Sequence, residues 1–253
     1  MKKAIIEMSS YKRHSLFAFI LSLLYFLNPV YCLLTIVGAN VSDFDHNMKK
    51  ADLYKIVIVG LTLSILLFLL KSNYFIGILI LLLSSVSYFS KHRGFTHSLI
   101  GGLVLTILIF IITFFSIELS YQIPFNLLNI NIQVIFLELV AILLCILFVN
   151  KRLSPIIILL FLLSILIFPI NTINFKFIGF SIFLGFLSHI ILDSFSPTGV
   201  ELLNPISSKR FGKKFAWFLI VGLIFIAIFY KVDSVNLLIN HICKSIFVVN
   251  LIF

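Results

Sequence analysis

The chain has 253 residues, of which 61 % are hydrophobic and only 11 % are charged, and its mean hydropathy is +1.21. This composition excludes an ordinary soluble domain, because several uninterrupted apolar segments approach the length of a bilayer span. The net charge of +10 does not indicate nucleic-acid binding, since the basic residues are scattered between apolar segments without interleaved aromatic residues. Three single cysteines without CxxC spacing predict neither disulfides nor a thiolate metal site.

The first apolar segment, 15–39, is interrupted near its middle by Asn28 and Pro29. Proline lacks a backbone N–H and breaks a helix at such a position, so we predict a hairpin of two short helices. Helices of about 13 residues reach only about 20 Å, which is less than the thickness of the hydrocarbon core. We therefore expect neighbouring helices to cover the tip of the hairpin.

Seven further apolar segments follow, and their composition predicts spans over 53–70, 74–90, 98–117, 132–149, 155–170, 177–195 and 215–230. Segment 235–253 is interrupted by polar residues, so the sequence leaves open whether this segment spans the membrane. Helices are expected because period-2 alternation is absent and lipid requires internal hydrogen bonding. The sequence thus predicts an all-α, polytopic membrane helix bundle that forms one domain over 1–253, with an N-terminal broken helical hairpin and about seven further spans.

Counting the crossings brings three polar motifs to one side of the membrane, here called the motif side: VSDFDH (41–46), KHRGFTHS (91–98) and LSHIILDS (187–194). His189 and Asp193 are four residues apart, so both project from one helix face and can hold one ion. Ionisable groups at such depth are costly in a bilayer and usually mark function. In the second motif we expect Gly94 to break the chain and Thr96 to cap the following helix.

Imidazole and carboxylate donors without thiolates favour a site for one to three divalent ions, with zinc expected first and manganese or iron as alternatives. Such ions lower the pKa of bound water to about 7, which predicts hydrolysis. The guanidinium of Arg93 suits a phosphate oxygen of a substrate, and equally the phosphate of a lipid. Two of the three motifs also have a simpler interpretation, a polar loop for 43–46 and interfacial anchors for 92–97.

The segments GANVSDFDH, HRGFTHSLIGG and GFLSHIILDSFSPTGVELLNP resemble the YdjM-like family of membrane-bound, metal-dependent hydrolases. The resemblance implies cleavage of phosphodiesters, and it adds an early histidine for which His14 is the candidate. The metal ligands it implies are His14, Asp43, Asp45, His46, His92, His97, His189 and Asp193. Among the motif residues, we expect Arg93, Asp45 and His97 to be catalytic.

The resulting hypothesis is a membrane-bound metal-dependent hydrolase, a phosphoesterase that acts on a phospholipid or another membrane-associated phosphoester through a metal-activated water. Membrane lipids are the expected partners. A transporter or a proton or ion pathway that uses the His/Asp cluster is the first alternative. A non-catalytic membrane scaffold with a structural metal is the second.

With the N-terminal hairpin, all but four of the 19 lysines and arginines lie on the motif side. The exceptions are Lys71, Lys176 and Lys231 on the other side, and Lys244 in the ambiguous last segment. Cytoplasmic loops carry the excess of Lys and Arg. We therefore expect a multi-pass protein of the cell membrane, plasma or inner, with its site at the cytoplasmic face.

Overall fold

The computed structural model of the chain describes residues 2–43, 50–90, 94–122, 132–167 and 173–230. Within these ranges the chain folds into nine α-helices. They are α1 (Lys2–Leu23), α2 (Pro29–Val41), α3 (Lys50–Leu69), α4 (Phe75–Phe89), α5 (Leu99–Leu119), α6 (Ile132–Phe148), α7 (Ser154–Ile167), α8 (Phe175–Ser194) and α9 (Lys213–Tyr230). Single 3₁₀ turns occupy Phe95–His97 and Ser120–Gln122. The described residues form no β-strand, which confirms the all-α prediction.

The seven helices after the hairpin begin and end within three residues of the predicted spans. Three of them, α5, α8 and α9, are long and apolar enough to cross a membrane. The other apolar helical segments in the described part of the chain are 10–17 residues long. The fold is therefore that of a helical membrane protein. Segment 235–253, for which the sequence leaves open whether it spans the membrane, lies outside the described residues.

The N-terminal hairpin turns where the sequence predicts it. Helix α1 ends at Leu23, and Asn28 starts α2 by accepting a hydrogen bond from the Val30 N–H at 3.0 Å, with Pro29 in the first turn. The Asn40 amide donates to the Ser15 hydroxyl at 3.0 Å, so the two helices run antiparallel. Because of this return, the residues after α2 lie beside the middle of α1.

Helix α1 is longer than the short helix that the apolar segment predicts. It begins at Lys2 and includes the charged residues up to Arg13. Lys12 and Arg13 are exposed, whereas Tyr11 and His14 are buried on the packed face. The helix therefore continues past the apolar segment because one of its faces stays in contact with the bundle.

Neighbouring helices cover part of the hairpin tip: Tyr25 and Phe26 are buried, whereas Leu27 is 86 % exposed. The Tyr25 hydroxyl donates to the Leu223 carbonyl of α9, and the Tyr31 hydroxyl accepts a hydrogen bond from the Asn174 N–H before α8 at 2.9 Å. Every residue of α2 from Val30 to Val41 is buried. Helix α2 is thus the central element of the bundle.

Helices α2 and α8 pack with their backbones in close approach. A Cβ at Gly38 would overlap the Ile182 carbonyl, and a Cβ at Gly185 would overlap the Thr35 carbonyl. Small residues at such crossings let membrane helices pack closely. This contact sets the position of α8 one turn before His189.

The cap of α5 differs from the prediction. Ser98, and not Thr96, caps α5, since the Ser98 hydroxyl accepts a hydrogen bond from the Gly101 N–H at 3.0 Å. Thr96 lies inside the 3₁₀ turn, where its hydroxyl is 3.2 Å from Nδ1 of His97. The extra turn arises because the chain breaks at Gly94, and the three residues 95–97 then separate this break from Ser98, where α5 is capped.

The segment 195–212 folds back over the start of α5. Val200 and Phe211 exchange two backbone hydrogen bonds, of 3.0 and 2.9 Å, and the Leu99 N–H donates to the Leu202 carbonyl at 2.9 Å. Glu201 forms an ion pair with Arg210 at 3.3 Å. The segment 195–212 is called here the return loop. Its contacts fix the 3₁₀ turn and α8 at one end of the bundle.

Candidate metal centre

Five of the predicted ligands meet at one end of the bundle, and they come from four separate segments. His14 lies in α1, Asp43 follows α2, His97 ends the 3₁₀ turn, and His189 and Asp193 lie in the last two turns of α8. The histidine residues are 0–5 % exposed. Buried ionisable groups need partners, and here each group provides a partner for the others.

Asp193 contacts all three histidines of the cluster. Its Oδ1 lies 3.6 Å from Nε2 of His14, while its Oδ2 lies 3.7 Å from Nε2 of His97 and 3.4 Å from Nε2 of His189. The two carboxylate oxygens therefore face different histidines. Such a carboxylate can bind one ion through one oxygen or bridge two ions.

Asp43 closes the cluster from the side of α2. Its Oδ1 lies 3.6 Å from Nε2 of His97 and 3.8 Å from Nε2 of His189. Burial by itself would raise the pKa of the Asp43 carboxyl, but the facing imidazoles, that of His189 foremost, lower it to about 2. The carboxylate thus stays ionised at neutral pH and is available as a ligand.

One hydrogen bond fixes a proton on His189. Nδ1 lies 2.7 Å from the carbonyl oxygen of Ala39. A carbonyl only accepts, so Nδ1 carries a proton and Nε2 is the ring atom open to a ligand. That Nε2 is buried and has no hydrogen-bond partner, and it faces the carboxylates of Asp43 and Asp193. Two anions facing this nitrogen require a cation at Nε2, either a proton or a metal ion.

The imidazole rings support one another. The His14 ring stacks on the His189 ring with centroids 4.2 Å apart, and the His97 ring meets the His189 ring edge-on at 5.0 Å. Ring contacts of this kind fix the directions of the nitrogen lone pairs. The donors are therefore oriented by packing and not only by charge.

The donor set fits a divalent metal ion. One ligand atom each from His14, His189 and Asp193 lies within 4.8 Å of the others, and the same holds for Asp43, His97 and His189. Nitrogen and oxygen donors without sulfur suit zinc, and they also suit manganese or iron. The unpartnered Nε2 of His189, common to both groups, is the atom that an ion would satisfy.

The remaining predicted site residues, Asp45, His46, His92 and Arg93, lie outside the described residues. Their roles stay predictions. Asp43 and His97 are described residues of the same two motifs and lie in the cluster, so both motifs reach it.

The structure adds residues that the sequence analysis missed. The buried Asn40 amide donates to the Ser15 hydroxyl and to the Ile36 carbonyl at 2.8 Å, and it thereby joins α2 to the residue after His14. Thr96 contacts Nδ1 of His97, and the Ala39 carbonyl orients His189. A polar residue such as Asn40 within a short apolar helix is a signal that could have found the first of these contacts.

Thr96→Val is expected to weaken metal binding about 10- to 100-fold, the usual effect of losing a partner of a ligating histidine. The change keeps the shape of a buried side chain and removes the hydroxyl that orients the His97 ring. Zinc affinity measured by competition with a chelating dye tests this. Thr113→Val is the matched control, because the Thr113 hydroxyl is also buried but bonds to the Ile109 carbonyl of its own helix. Equal affinities for the two variants would contradict the role of Thr96.

A model of the YdjM inner membrane protein family matches residues 139–253. No curated protein and no solved structure matches the chain. The matched part includes His189 and Asp193, whereas His14, Asp43 and His97 precede it. The family match agrees with the apolar helices and confirms the resemblance found in the motifs. Over residues 139–253, a little under half of its length, the chain is similar to the YdjM inner membrane protein family.

Proposed function

We propose that this chain is a membrane-bound metal-dependent hydrolase, a phosphoesterase that acts on a phospholipid or another membrane-associated phosphoester. The observation that carries the proposal is the buried Nε2 of His189, which has no hydrogen-bond partner and faces two carboxylates. His14, Asp43, His97, His189 and Asp193 would hold the ion. Zinc is the expected metal, with manganese and iron as alternatives.

A divalent ion in this cluster would supply Lewis acidity and a water activated at neutral pH. The residues of the chain have separate tasks. Asp43 and Asp193 provide negative charge that balances the ion, and His189 is held in one tautomer by the Ala39 carbonyl. His97 lies just before α5, in the same motif as Arg93, which together with Asp45 is predicted to contribute to catalysis.

The position of the cluster supports a hydrolase over a transporter. Asp43 follows the end of α2, His97 precedes α5, and Asp193 is the penultimate residue of α8. A transport site with alternating access is expected near the middle of the membrane, at broken helices. Donors at helix ends suit a site at a membrane surface, which lipid headgroups and water both reach.

We also propose that the chain crosses the membrane several times and that this surface is cytoplasmic. The exposed residues Lys12, Arg13, Lys209 and Arg210 lie at the same end as the cluster and follow the positive-inside pattern. In a cysteine-free background, Ser72→Cys is expected to react with an impermeant reagent outside intact cells, and Ser208→Cys only after permeabilisation. The reverse labelling pattern would put the cluster on the outer face.

The function is tested on purified wild-type protein and an Asp43→Asn, His97→Ala double variant. Elemental analysis should find a stoichiometric divalent metal in the wild type alone. The wild type should hydrolyse phospholipid or bis-p-nitrophenyl phosphate, lose turnover with a chelator and regain it with zinc. Equal metal content in the two proteins would refute the metal centre. Tightly held metal without turnover of any phosphoester would refute the hydrolase and leave a structural metal.

A further inference from the structure

A groove of about 510 Å³ lies between α4, the 3₁₀ turn Phe95–His97 and the return loop. This volume is within the range of about 300–1,000 Å³ that is usual for ligand pockets. The walls are formed by Leu82, Val86 and Phe89 of α4, by Gly94 and Phe95, and by Asn204 of the return loop.

The groove offers little polarity to a ligand. Its two serine residues, Ser85 and Ser90, use their hydroxyl groups within α4, where they donate to the Leu81 carbonyl at 2.8 Å and the Val86 carbonyl at 2.6 Å. The remaining α4 residues in the wall are aliphatic or aromatic. The interior therefore suits hydrocarbon better than a polar metabolite.

One wall of the groove belongs to the turn that carries His97. Gly94 and Phe95 line the groove, and the Gly94 carbonyl accepts a hydrogen bond from the His97 N–H at 3.2 Å. The same single turn therefore lines the groove and carries a predicted metal ligand.

The outer end opens toward the surroundings of the bundle. Leu82 is 45 % exposed and Phe89 is 81 % exposed, and a membrane protein presents such side chains to lipid chains. At the rim, the Asn204 amide donates to Glu201 at 3.2 Å, and Glu201 in turn pairs with Arg210. The exposed cations Lys209 and Arg210 of the return loop complement an anionic headgroup.

We infer that this groove holds an acyl chain of a phospholipid whose phosphate group lies toward the His/Asp cluster. The inference rests on the proposed hydrolase activity and narrows its substrate to a bilayer lipid taken directly from the membrane. Hydrocarbon in the groove supplies affinity, and the basic rim orients the headgroup.

The test uses the full chain in nanodiscs that contain phosphatidylglycerol with a diazirine on one acyl chain. Cross-links in the wild type should concentrate on residues 82–95. Ser85→Trp fills the groove from an exposed position, and it should lower these cross-links about tenfold, as expected when about two methylene groups lose their burial. Leu82→Trp is the second variant, and bound metal and thermal melting verify that both are folded.

The matched control is Gly179→Trp, which fills a second groove of about 370 Å³ that is lined by residues of α5 and α8 and by none of α4. It should leave cross-linking to 82–95 unchanged. Ser85→Trp should also lose turnover of phospholipid while it keeps turnover of bis-p-nitrophenyl phosphate. Cross-links that are equal in wild type and both groove variants would overturn the inference. A wild-type protein without any turnover would refute the proposed hydrolase activity. The cross-links would still show whether an acyl chain lies in the groove.

Discussion

Asp193→Asn is expected to abolish metal binding and, with it, hydrolysis. The asparagine keeps the size of the side chain but removes the charge that faces His14, His97 and His189 at 3.4–3.7 Å. No other described residue contacts all three histidines with a carboxylate. We expect affinity for zinc to fall by more than about 100-fold, beyond the 10- to 100-fold loss typical of a residue that only supports a ligand.

Elemental analysis after dialysis and zinc titration measure the effect. Glu138→Gln is the matched control, because Glu138 is a half-buried carboxylate in α6 that takes no part in the cluster. His241→Ala, a change at a residue outside the described ranges and outside the motifs, is expected to leave metal and turnover alone. An Asp193→Asn protein with full zinc content would remove Asp193 from the metal centre.

The second large effect is expected from Gly185→Val, which should destabilise the bundle by about 1–3 kcal/mol. The added side chain would overlap the Thr35 carbonyl and the Ala39 backbone N, so α8 must move away from α2. A chain of this size loses about 2–4 °C of melting temperature per kcal/mol. The displacement would also lengthen the contact between His189 and the Ala39 carbonyl, so the metal content should fall together with the melting temperature.

Thermal unfolding in detergent and metal analysis of the same preparation test this coupling. Gly222→Val is the control, since a Cβ at Gly222 of α9 meets nothing within 4 Å. Its melting temperature and metal content should match those of the wild type. A Gly185→Val protein as stable as this control would show that the close approach of α2 and α8 is not needed.

Hydropathy and one proline were sufficient to predict the helices. Lipid requires continuous internal hydrogen bonding, so long apolar segments became helices at nearly the predicted bounds, and Pro29 made the hairpin turn where it stands. The sequence analysis missed the part of α1 before residue 15 because the polar residues on its exposed face lower the mean hydropathy of the segment. The buried residues on its packed face are then not recognised. The cap of α5 was misassigned because Thr96 and Ser98 are equally suitable by residue type, and only the extra 3₁₀ turn decides between them.

The site was predictable to the extent that spacing within one helix defines it. His189 and Asp193 followed from their four-residue separation, and the common side of the three motifs followed from counting crossings. His14 came from the family resemblance alone, because nothing in its local sequence marks it. The contacts of Asn40 and Thr96 depend on how helices are rotated against each other, which depends on packing and not on spacing.

Three consecutive residues of α2 contact the two helices that carry His14, His189 and Asp193. Gly38 meets the backbone of α8, the Ala39 carbonyl accepts from His189, and Asn40 binds Ser15 beside His14. Successive helical residues point about 100° apart, so one short stretch can contact both α8 and α1. The donors are thereby preorganised before an ion arrives, and little conformational entropy is lost on binding. Donors at fixed positions also discriminate by ionic radius: calcium, which takes six to eight oxygens at 2.3–2.6 Å in a flexible shell, should be rejected in favour of smaller ions that imidazole nitrogens bind at about 2.0–2.1 Å.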